Sequence, residues 1–106
     1  MEKAHERGVE LRRRAERMRE TMQLQLLAAE RAMEESLAEL KACREQLTFR
    51  MKALAEAGRA ERRAARQELR ALRRALQRAQ DAAHRAMSRW NSLVFEYCAR
   101  FSPTAA

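Results

Sequence analysis

Very little in this sequence can end a helix. Its 106 residues include only two glycines, Gly8 and Gly58, and one proline, Pro103. Turn-rich β architectures need many more such residues, so the shortage excludes them and leaves an all-α chain. Cysteine is equally sparse: Cys43 and Cys98 cannot supply a disulfide framework, and with His5 and His84 isolated there is no Cys/His cluster at metal-ligand spacing. No metal and no cofactor are expected. Asp81 is the one aspartate, and no glycine loop, nucleophile motif or acid/base constellation accompanies it, which argues against an enzyme.

Long apolar runs are absent as well. No stretch approaches the roughly 18 apolar residues that would span a bilayer, and the N-terminal residues lack the apolar core of a secretory signal. Glu2, Glu6, Glu10, Glu16 and Glu20 contradict a mitochondrial transit peptide, which is poor in acids. With two cysteines and no extracellular feature, the expectation is an intracellular, cytoplasmic protein that is not secreted.

What is present is charge and alanine. Charged residues make up 36% of the chain, and the 46% apolar content is inflated by alanine, which buries little area. A single domain with a thin core is therefore expected, in the composition range of long helices and coiled coils. The net charge of +8 is unevenly placed: residues 59–89 hold ten arginines against three acids, while residues 23–58 hold five Lys/Arg against six acids. A surplus of this kind favours polyanions or an acidic protein surface.

Two apolar seams are legible. Leu26, Met33, Leu37, Leu40, Leu47, Met51 and Leu54 alternate steps of three and four, interrupted by Glu30 and Arg44. Ala65, Leu69, Leu72, Leu76, Ala79, Ala83, Ala86, Trp90, Leu93 and Tyr97 keep the same step without a miss. The first seam, continued through Gly58, emerges out of phase with the second, so a straight helix would carry both a stutter and an interior glycine. The pattern predicts an antiparallel two-helix coiled-coil hairpin turning near Gly58, with Met33 and Leu37 facing the small Ala79 and Ala83. Helix 1 is expected over about 3–56, the turn over about 57–60 and helix 2 over about 61–101. These form a single domain, 1–101, followed by a flexible tail, 102–106, because Pro103 disfavours helix at Ser102. The competing arrangement is a single long helix forming a parallel or antiparallel dimeric coiled coil.

Two features point to binding. Four of the five aromatic residues fall in the stretch WNSLVFEYCARF, residues 90–101. Trp90, Leu93 and Tyr97 continue the seam, but Val94, Phe95 and Phe101 lie off it, so the apolar surface exceeds what a two-helix rod can cover. Met18, Met22, Leu24 and Leu27 reach the same end of a hairpin. Together these ten residues form the expected surface for a protein partner or for self-association. The second feature is an arginine ridge, Arg59, Arg63, Arg66, Arg70 and Arg73, widened by Arg74 and Arg78, with Glu61 and Glu68 available as local partners. The expectation is a non-enzymatic structural or adaptor subunit that docks into a larger assembly through its aromatic end, with the ridge as a second, electrostatic contact. The alternative is a basic helical protein that binds RNA or DNA non-specifically through phosphates. No membrane span and no small-molecule substrate are expected.

Overall fold

The structure, a computed structural model, describes residues 2–101. Two helices account for nearly all of them: α1 (Glu2–Glu56, 55 residues) and α2 (Arg59–Phe101, 43 residues), joined by Ala57 and Gly58. Among the described residues the only β-branched side chains are Val9, Thr21, Thr48 and Val94, so little in either helix resists α geometry. The helices pack antiparallel as a hairpin. The tail expected over 102–106 lies outside the described residues.

Met18 meets Arg100, and Arg50 meets Glu68, so residue i of α1 lies level with residue 118 − i of α2. Phe101 therefore ends level with position 17, and α1 runs past it over residues 2–16. The two arms are unequal, because α1 starts about four turns beyond the end of its partner. The molecule measures 88 × 22 × 14 Å, a length set by α1 alone.

Between the helices, every residue of the α2 seam from Ala65 to Tyr97 is buried or half-buried. The α1 seam differs from the expected one in one of its two columns. Leu26, Met33, Leu40, Leu47 and Leu54 face α2, but the alternate positions are filled by Met22, Ala29, Ser36 and Cys43, not by Glu30, Leu37 and Arg44. Leu37 is 40% exposed and Met51 48% exposed. The bulky residue seated on Ala79 and Ala83 is Leu40, with Cys43 and Leu76 packed around it. The reason is steric: across from Ala79, Ala83 and Ala86 the helices approach closely, and there the small Ala29, Ser36 and Cys43 fit between the large seam residues where a second leucine would not.

At the turn, the Gly58 carbonyl accepts the first hydrogen bonds of α2, from the amides of Glu61 (3.2 Å) and Arg62 (3.1 Å), which makes Gly58 the N-cap. The side chain of Arg62 folds back to donate from Nε to the Ala57 carbonyl at 3.2 Å, satisfying an acceptor left open by the end of α1. Gly58 has no positive φ, and a Cβ added there would meet nothing within 4 Å. Its value lies in the cap position, not in a conformation reserved for glycine.

Two measurements test this account. Leu40→Ala should destabilise the hairpin by about 2–3 kcal/mol in chemical denaturation, whereas Leu37→Ala, three residues away, should cost under about 1 kcal/mol; equal losses would contradict the observed seam. Gly58→Ser should raise stability by a few tenths of a kcal/mol, since serine is the better N-cap, and a lowered melting temperature would contradict that role.

Candidate functional site

The aromatic end is assembled where the last turns of α2 meet α1 between residues 17 and 30. On α2, Trp90, Leu93 and Tyr97 are half-buried in the seam, and Val94 and Phe101, each one position beyond the seam, are half-buried on its flank. Phe95 points away from the seam and is 78% exposed. On α1, Leu24 is 67%, Leu27 55% and Met18 50% exposed, while Met22 is only 6% exposed. Met22 is thus a core residue of the hairpin and does not belong to the surface expected for a partner. The other nine residues remain at this end, within reach of solvent.

Between the helices on one flank runs an open groove of about 460 Å³, lined by Leu26, Leu27, Trp90, Val94 and Tyr97, with Gln23 and Glu30 as its polar members. Phe95 and Leu24 lie at matching levels on the outer faces of the two helices. Apolar surface consequently opens in several directions from one short length of rod, more than a third helix on a single side could cover.

The structure adds polar residues that the apolar pattern did not reveal. The Tyr97 hydroxyl accepts hydrogen bonds from Arg19 Nε at 3.3 Å and Gln23 Nε2 at 3.1 Å, both on α1. The Arg19 guanidinium also lies 5.8 Å from the centre of the Phe101 ring, a cation–π distance, and the Tyr97 and Phe101 rings pack 5.1 Å apart at 47°. Arg100 is drawn to Glu96 at 3.0 Å and reaches the Met18 sulfur at 3.6 Å. Arg19 and Gln23 clip the two helices together and hold the Tyr97 and Phe101 rings. Periodicity carries no trace of them, because each is an ordinary polar residue until the register places it opposite Tyr97. The hydrogen bond from Arg19, followed by that from Gln23, draws the Tyr97 phenol below its ordinary value of 10.0, since both favour the phenolate.

The arginine ridge occupies the other half of the rod. Arg59, Arg63, Arg66, Arg70, Arg73, Arg74 and Arg78 are all exposed. Glu68 does not serve them; it pairs with Arg50 of α1 at 3.4 Å. Cys43 sits half-buried against the core and Cys98 is exposed at the aromatic end, both as free thiols. Their levels differ by more than twenty residues, roughly 35 Å, beyond disulfide reach.

Among the described residues no group of three His, Cys, Asp or Glu could hold a metal ion, and no helix is long and apolar enough to cross a membrane. No protein-family model, curated protein or solved structure matches the chain.

Tyr97 is the only tyrosine, so its titration can be followed by phenolate absorbance without interference. The phenolate should form at lower pH in the folded chain than in the denatured chain, and Arg19→Ala should move the midpoint back up. An unchanged midpoint in the variant would remove Arg19 from the clip.

Proposed function

We propose that the open end of the hairpin docks into a larger protein assembly and that the chain is a non-enzymatic structural or adaptor subunit. The observation that carries this reading is Phe95, 78% exposed on the outer face of α2 at the level of the groove of Trp90, Val94 and Leu27, with Leu24 67% exposed on the outer face of α1. Hiding large apolar side chains such as these from water is worth on the order of 2 kcal/mol each. A molecule 14 Å thick has no further layer with which to do so. Aromatic anchors of this kind carry most of the energy of protein interfaces. The Arg19 and Gln23 clip supports the reading, because it holds Tyr97 and Phe101 in place before any partner arrives, which lowers the ordering cost of binding. Roughly 35 Å along the rod, the exposed ridge stays clear of the docking end and is left open for a separate electrostatic contact.

Exposed positions allow a test that spares the fold. In a quantitative pull-down, Phe95→Asp combined with Leu24→Asp should reduce partner recovery at least tenfold. Phe49→Asp, equally exposed at 68% but in the other half of the rod, should leave it unchanged. Trp90, Tyr97 and Phe101 replaced together by alanine should also abolish recovery. Undiminished recovery with the Phe95/Leu24 variant would overturn the proposal. Sedimentation at several concentrations identifies the partner: a dimer that dissociates in the same variant would mean that a second copy occupies the end.

A further inference from the structure

The arginine ridge acquires a new composition once the register is known. In this hairpin, residues that directly follow a seam residue lie on one flank of the rod, as Gln23, Leu27, Glu30 and Val94 do where they line the groove together. By the same rule Arg66 follows Ala65, Arg70 follows Leu69 and Arg73 follows Leu72, with Arg59 and Arg63 continuing the row. On α1, Lys41 follows Leu40 and Arg44 follows Cys43, which places both on that same flank. Seven cations from two helices thus share one face, between levels 41 and 59, roughly 27 Å of rod.

Carboxylates are scarce on this face: Glu45, which shares a shallow hollow with Arg44, Thr48 and Lys52 on α1, is the nearest. Of the four acids in residues 40–78, Glu61 and Glu68 precede seam positions and occupy the opposite flank, where Glu68 holds Arg50. Glu45 stands at the edge of the face beside Arg44, and Glu56 is exposed near the turn. Residues 40–78 carry twelve Lys/Arg against these four acids, a net of +8, which is the whole of the chain's +8. The remaining residues carry eleven of each. All the net charge of the molecule therefore resides in the third of the rod nearest the turn.

We infer that this face binds the phosphate backbone of a nucleic-acid duplex. An acidic protein surface fits less well, because protein interfaces have an apolar centre and Met51 is the one bulky apolar residue here. The same shortage disfavours insertion into an anionic membrane. A single strand would call for several aromatic rings on which successive bases stack, yet this part of the rod has one, Phe49, which lies between Gln46 and Arg50 on one side and Arg44 and Lys52 on the other. A duplex offers about one charge per 1.7 Å of its axis, so a straight face of arginines, able to grip phosphate in bidentate fashion, meets phosphates along its whole length. Such binding reads charge and shape, not base sequence. The inference is independent of the docking end.

The test is fluorescence anisotropy with RNA and DNA duplexes of mixed sequence. Binding should weaken by about a thousandfold between about 50 and about 200 mM salt, as six or seven phosphate contacts require. Arg66→Glu, Arg70→Glu and Arg73→Glu together should weaken it at least tenfold, and the corresponding glutamine variants should do so to a lesser degree with helix content unchanged. Arg7→Glu, Arg12→Glu and Arg13→Glu, an equal loss of charge on the protruding end of α1, should have little effect. Binding to either duplex with this pattern supports the inference. It is overturned if neither duplex binds, if both triple reversals weaken binding equally, or if polyglutamate or anionic phosphatidylserine vesicles are bound in preference.

Discussion

The seating of Leu40 on Ala79 and Ala83 is the contact on which the rest of this molecule depends. Two helices with so few large apolar residues can hold together only by approaching closely, and close approach is possible only where one of them presents alanine. That requirement fixes the register, and the register fixes everything that periodicity leaves open. It puts Tyr97 opposite Arg19 and Gln23, Arg50 opposite Glu68, and the end of α2 four turns short of the start of α1. A slip by one heptad would separate these pairs while keeping leucines in contact, so the alanines specify the structure more than the leucines do.

Much of the fold was legible because the second seam is nearly perfect: Ala65 to Tyr97 reads as one stripe and packs as one. The turn was legible from a phase mismatch more than from Gly58 itself, whose backbone is ordinary. The first seam misled for a physical reason. Leu37 and Met51 look like core residues by size, whereas Ser36 takes the inward position beside Leu40, which already fills the space over the facing alanines. Among the candidate site residues, those off the seam, Phe95, Leu24 and Leu27, could be recognised as uncovered by counting stripes. The burial of Met22, the clip of Arg19 and Gln23 on Tyr97, and the arrival of Lys41 and Arg44 beside the ridge could not, since each depends on which residue of one helix lies level with which residue of the other.

The two halves of the rod differ in the physics of the surfaces they offer. One is rich in half-covered rings, so its contacts gain chiefly from dehydration. The other carries all the net charge on a nearly apolar-free face, so its contacts are long-ranged and screened. Neither surface is built from one helix alone. Each exists only in the folded hairpin, which links whatever the molecule binds to the integrity of a narrow seam.

The stretch of α1 that overshoots its partner, residues 2–16, gains nothing from the seam. Its helix rests on intrinsic propensity and on local pairs such as Arg14 with Glu10 at 3.3 Å, terms worth tenths of a kcal/mol, and a segment of that length is marginal by itself. Warming should therefore shorten the rod from this end well before the paired region melts, so that its effective length in solution becomes a function of temperature while its width does not.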